Sequence, residues 1–228
     1  MNRLHCPRRP QRPQRTQVRT IRRQAGLVLF FAMIALLALS LAAAALVRTV
    51  DTSTIIAGNL AFKQTATSSG DTGTEAAVTW LTNTQAGNNT LNVLNNPAHA
   101  FNQDNLAQGY YSSVHDDAND PSYLDLFASG TWAANNSVLV GADPDPVTGN
   151  TTRYIIQRMC RTANQPVQSA GCLFSGALQD NNGQHIKLPQ EICTGSGCPV
   201  AGQTPMIRIT SRVTGPKNTV SYVQAFVY

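Results

Sequence analysis

Hydrophobic and polar positions divide the chain into four stretches. Residues 1–26 are rich in Arg, Gln and Pro and show no apolar periodicity, so no fold is expected there. Leu27 to Val47 then reads LVLFFAMIALLALSLAAAALV, with no charge, a single hydroxyl at Ser40, and neither Gly nor Pro. At about 1.5 Å of rise per residue, a run of roughly 21 residues spans about 31 Å, enough for a bilayer core of about 30 Å. A membrane-spanning helix is predicted. In the polar continuation, residues 48–82, a helical period places Ile55 or Ile56, Leu60 or Phe62, Ala66, Ser69, Gly73, Ala76 or Ala77 and Trp80 along one face. By propensity this stretch is a poor helix, because Gly58, Gly70, Gly73 and its threonines each weaken it. Something beyond local propensity must hold it, and the spanning helix can do so by continuing into it.

Residues 83–228 form the fourth stretch, with a vague first part. From Asn83 to Asn136 the text is Asn-, Gln- and Ser-rich with scattered aromatics, including Phe101, Tyr110, Tyr111, Phe127 and Trp132. Loops are expected there, with a helical turn at Leu124–Phe127. Strand signals follow at Ser137–Val140, at Arg153–Met159 and at Met206–Val213, where Ile207, Ile209 and Val213 alternate with Arg208, Thr210 and Arg212. Gly215-Pro216-Lys217-Asn218 is a turn, after which Val220–Tyr228 returns as a strand. The fold class is α+β. A long N-terminal helix, transmembrane in its first half, is expected to pack on a C-terminal antiparallel β-meander. The domain limits are 1–26, 27–47, 48–82 and 83–228.

Charge changes the picture through its distribution. Of 17 basic residues, eight arginines (Arg3, Arg8, Arg9, Arg12, Arg15, Arg19, Arg22 and Arg23) precede Leu27, where no acidic residue stands. From Leu27 onward nine basic residues face 12 acidic ones, 9 − 12 = −3. A basic arm directly before a spanning helix holds that end in the cytoplasm, so it is read as a topology signal and no nucleic-acid partner is expected. The chain after Val47 is then extracytoplasmic. Cys6 lies in the leader, leaving Cys160, Cys172, Cys193 and Cys198, an even number for an oxidising compartment. Two disulfides are expected. Three pairings are open, with the short local loops Cys160–Cys172 and Cys193–Cys198 preferred; zinc is the rival, but CTGSGC is wide for a zinc knuckle and no His lies near.

Candidate chemistry is sparse. His5, His99, His115 and His185 are dispersed, and no nucleophile-elbow, P-loop or zinc-helix motif occurs. No enzyme, cofactor or metal is expected. The carboxylates around Asp116–Asp120 lack the spacing of an EF-hand, which makes solvated turns the default and leaves a calcium ion open. Three processing signals compete at the N-terminus. A twin-arginine signal would use Arg22-Arg23, and a general signal peptidase would cut within Ala42–Ala45. The third is a basic leader ending in Gly26 with the apolar run starting at once at Leu27, and RRQAG then LVLFF fits it best.

Gly26 before the apolar helix, Ala57-Gly58-Asn59-Leu60, Gln64 and Thr74-Glu75-Ala76-Ala77 resemble type IV pilus minor pilins of the PilX family. The resemblance resumes in GNTTRYIIQRMC (149–160) and in MIRITSRVTGPKNTVSYVQAFVY (206–228). It implies a pilin-like fold, cleavage by a prepilin peptidase between Gly26 and Leu27, and N-methylation of Leu27. It further implies pilus assembly at initiation or at the tip, supporting twitching motility and adhesion. The partners implied are other minor pilins, the major pilin and a tip adhesin. The chain would stand in the inner membrane with its C-terminus in the periplasm, then in the pilus at the cell surface. Most pilins carry Glu at the fifth mature position, where this chain has Phe31. That departs from a bulk filament subunit and suits a minor one. The alternatives are a type II secretion pseudopilin and a membrane-anchored binding domain with no filament role.

Overall fold

A computed structural model describes residues 26–117, 123–179, 181–184 and 187–228. The leader from Met1 to Ala25, with Cys6 and its arginines, lies outside the described residues, as do 118–122, Asp180, His185 and Ile186. The chain divides into two compact units, with the boundary between Ile55 and Ile56.

A single helix, α1, runs Leu27–Gly87 and contributes to both units. In the first unit every residue from Leu27 to Ile55 is exposed. This helix is long and apolar enough to cross a membrane. Beyond Val47 the hydroxyls that propensity counts against a helix turn back onto it. Thr49, Thr52, Ser53 and Thr54 donate to the carbonyls of Ala45, Arg48, Thr49 and Val50. Thr67, Thr72, Thr79 and Thr82 do the same further along. Each hydroxyl is thereby satisfied by the preceding turn, and the helix reaches five residues past the expected limit at residue 82.

In the second unit the helix lies against a sheet of five strands: β1 (Tyr110–Tyr111), β2 (Val138–Val140), β3 (Thr151–Arg158), β4 (Ile207–Thr214) and β5 (Val220–Val227). The order is β1-β3-β4-β5, with β2 sharing the β3 edge that β1 occupies. The β3-β4 and β4-β5 pairs are antiparallel over eight residues each. The expected antiparallel meander needs one correction. Two-residue β1 runs parallel to β3, pairing Tyr110 with Ile156 and Tyr111 with Gln157, so the sheet is mixed. The correction has a plain cause: a strand that short, inside Asn-rich loop text, leaves no period-two pattern to find. A short helix, α2 (Val167–Ala170), and both disulfide loops fill the excursion between β3 and β4.

Register assigns the two faces. Tyr154, Ile156 and Arg158 lie on one row with Ser211, Ile209 and Ile207, which pair in turn with Val223, Ala225 and Val227. On this face Tyr110, Tyr154, Ile156 and Ile209 form the core with Ala77, Leu81 and Phe101. Burying each large aliphatic side chain stabilises by about 1.5–3 kcal/mol. The opposite face carries Ile155 and Tyr222 under Tyr111 and Trp132. Arg212 lies 5.8 Å from the Trp132 ring centre. The expected turn near Leu124 is a bend at Leu126–Phe127, followed by a 3-10 turn at Ser129–Trp132.

The glycines explain how a poor helix is held. A Cβ on Gly70 would stand 2.4 Å from Val223 Cγ2, and one on Gly73 would stand 2.7 Å from Ser211 Oγ and 3.0 Å from Thr152 Cγ2. The helix backbone rests directly on the sheet at these two turns. The predicted face is right from Ala66 to Trp80 and wrong before it. Ile55, Ile56, Leu60 and Phe62 are all exposed. In the second unit the helix meets the sheet only from the Ser69–Gly70 turn onward, so Leu60 and Phe62 have no strand beneath them.

Gly70→Ala and Gly73→Ala are expected to destabilise the fold by about 1–3 kcal/mol through overpacking. Gly58 has nothing within 4 Å of an added Cβ, so Gly58→Ala should stabilise by about 0.5–1 kcal/mol. Denaturant midpoints of the three variants, measured in the same detergent, check the opposite signs.

Candidate functional site

Two places carry the residues to which sequence or structure assigns a role. The first is the Gly26–Leu27 junction. Gly26 has φ +128, a conformation that a side chain would strain, and nothing lies within 4 Å of its absent Cβ. Its carbonyl accepts from the Phe30 N–H at 3.2 Å, the first bond of α1. Leu27 opens the helix and is 62% exposed. The peptide bond between them therefore joins a glycine-only conformation to an apolar helix, with no side chain crowding it. Phe31 stands one turn further and is exposed.

The cysteines form two disulfides, Cys160–Cys172 and Cys193–Cys198, closing the two short loops. Cys160 follows β3 directly and is buried, so the first disulfide ties the end of a core strand to the turn after α2. The second closes a tighter loop further from the sheet. Among the described residues no group of three or more His, Cys, Asp or Glu could hold a metal ion. Of the Asp116–Asp120 carboxylates, only Asp116 and Asp117 are described.

The second place went unread in the sequence. Arg158, at the end of β3, is 1% exposed. Its guanidinium donates to Ser112 O at 2.9 Å, to Asn102 Oδ1, and to Gln165 O at 2.7 Å. All three acceptors are neutral. Burial lowers the Arg158 pKa, partly offset by the charge fields of Tyr110 and Asp104. Asp104 sits beside this cluster. Its Oδ1 accepts from both the N–H and the hydroxyl of Ser112 at 2.7 Å, and its Oδ2 stands 3.6 Å from His115 Nε2. Asn164 closes the ring, donating from its N–H to Ser112 Oγ and from its side chain to Asp104. Desolvation raises the Asp104 pKa, but hydrogen bonds from His115 and Ser112 outweigh it and hold the carboxyl at about 2.

Ser, His and Asp thus meet in one cluster, but their order is not that of a hydrolase. The Ser112 hydroxyl gives its proton to a carboxylate rather than to an imidazole. The cluster instead pins three loops, around residues 99–105, 112–115 and 161–165, to the end of β3. His99, fully buried, fits the same account. Its Nδ1 accepts from the Phe101 N–H, and burial followed by the Arg158 charge lowers its pKa, keeping it neutral. One signal was present in the sequence. Arg158 is in phase with Tyr154 and Ile156, so its side chain had to point into the apolar face.

Beside Arg158, an apolar groove of about 480 Å³ opens between the end of α1 and the end of the sheet, lined by Val78, Leu81, Phe101, Ile207 and Val227.

Two outcomes are expected. Replacing Cys160 and Cys172 together by Ala should cost about 3 kcal/mol, and replacing Cys193 and Cys198 about 2 kcal/mol, following the lengths of the loops they close. Thiol labelling of denatured, unreduced protein should find none of these four free. Asp104 has a folded pKa below its unfolded value, so its contribution is present above about pH 4. It should be lost as pH falls toward 2. Urea midpoints across that window should drop steeply in the native chain and more gently in Asp104→Asn.

Compared with known proteins, the chain matches no family model, no curated protein and no solved structure.

Proposed function

We propose that this chain is a minor pilin that takes part in type IV pilus assembly, at initiation or at the tip. One observation carries the reading. The helix that begins at Leu27, directly after Gly26, continues without a break into the stretch that packs on the sheet. An anchor built only to hold a domain at the membrane needs no such continuity. A subunit that must leave lipid and enter a filament with its domain attached does.

The helix surface suits that transfer. Leu27–Val47 is apolar all round, so it can exchange lipid for the equally apolar interior of a helical bundle. Small residues at Ala42–Ala45 allow neighbouring helices to approach closely. Phe31, where most pilins carry Glu, removes a charge that would need a partner in that interior. A subunit without it joins the filament but gives up the contact that sets repeated addition, which suits a scarce subunit at an end. In this reading a prepilin peptidase cuts after Gly26 and Leu27 becomes the methylated N-terminus. The domain faces the periplasm and meets other minor pilins, the major pilin or a tip adhesin.

Deleting the gene should sharply reduce surface pili, twitching and adhesion, with the major pilin accumulating in the inner membrane. Sheared wild-type filaments should contain this chain at a small fraction of the major pilin. Normal pili in the deletion, with this chain absent from sheared filaments or with protein secretion blocked instead, would contradict the proposal.

A further inference from the structure

β5 lies at the end of the sheet, and among the described residues nothing pairs with its outer edge. Its inner edge is fully used by β4. Alternate residues of an antiparallel strand point both main-chain groups toward the same side, so the free edge presents a row of unmet donors and acceptors. Soluble domains blunt such an edge with charge, proline or a bulge. Val220–Tyr228, reading VSYVQAFVY, has no charge, proline or glycine. From Val220 to Val227 it pairs residue for residue with β4 and carries no bulge. Three of its apolar side chains are left exposed: Val220 at 42%, Phe226 at 50% and Tyr228 at 82%.

The occupant is indicated by the order of residues. About Gln224 the strand is close to a palindrome of residue classes: Val223 answers Ala225, Tyr222 answers Phe226, and Val220 answers Tyr228, with Ser221 against Val227 the one mismatch. Two copies related by a two-fold axis through Gln224 would place Tyr222 of each opposite Phe226 of the other. Cross-strand aromatic pairs of this kind stabilise a sheet. On the helix-facing row Val223 would meet Ala225. Because β5 is uncharged, the symmetric arrangement sets no like charges against each other, whereas β4, with Arg208 and Arg212, would. Tyr222 is already oriented from behind, its ring 5.7 Å from Phe127 and 5.9 Å from Trp132.

We propose that a second copy of this chain docks here, its β5 antiparallel to this β5 in the register centred on Gln224, making one sheet across two subunits. The interface is isologous and does not depend on the function proposed above.

The test uses the full chain in its membrane, with Cys6→Ser so that an introduced thiol is the unpaired one. Gln224 is exposed. In the proposed register its two copies face each other on the axis, at about 4.5–5.5 Å between Cα atoms, inside disulfide reach of about 4.4–6.8 Å. Gln224→Cys should therefore shift to a disulfide-linked dimer on mild oxidation, while Asn89→Cys, exposed just past the end of α1, should stay monomeric. In differently tagged copies of otherwise native sequence, Gln224→Lys should abolish co-purification. Pairing Gln224→Lys with Gln224→Glu should restore it. A Gln224→Cys variant whose new thiol labels with maleimide yet remains monomeric on oxidation would overturn the proposal. So would a cross-link to a partner of another mass, or co-purification indifferent to Gln224→Lys.

Discussion

The structure depends on one close approach, the helix backbone of α1 lying on the sheet at Gly70 and Gly73. Side chains at those turns would hold the helix away by the width of a methyl group or more. The row of Thr152, Ser211 and Val223 beneath them is correspondingly small or β-branched. That contact seats Ala77 and Leu81 one and two turns later against Tyr154, Ile156 and Ile209. Glycine costs a helix about 1 kcal/mol in propensity, and here the cost is offset by the packing that its absent side chain permits. The residues that make the stretch look unhelical are thus the ones that fasten it.

The same contact makes the helix useful. Because α1 runs from Leu27 to Gly87 without interruption, the residues that suit a bilayer and the residues that organise the domain belong to one continuous element. The hydroxyls of Thr49, Thr52, Ser53 and Thr54 bond within the helix just past the apolar run. No polar group there requires a break in the backbone. The sheet is then completed by loops, and those loops need their own fastening. Arg158 supplies it, reaching three neutral acceptors at the end of β3, with Asp104 and Ser112 extending the network.

Legibility followed the strength of the periodic signal. Leu27–Val47 is unbroken, and β3, β4 and β5 are long runs of β-formers whose limits fall within two residues of those expected. β1 was hidden because two tyrosines among asparagines carry no period. The helix face was legible only over the sheet. Ile55, Leu60 and Phe62 continue the apolar stripe yet are exposed, because a stripe in sequence does not say how far the covering sheet extends. Arg158 shows the opposite failure, a charge in core phase whose neutral acceptors come from loops far along the sequence. Spacing alone does not announce which loop carbonyls will meet there.

The central claim is that α1 is released as an intact helix beginning at Leu27, so that anchor and domain spine travel together. The intact mass of the mature chain purified from its native membrane tests this most directly. The expected mass starts at Leu27 and carries one added methyl group. A chain that starts within Ala42–Ala45, severing the anchor from the spine, or one that keeps the whole leader, would contradict it.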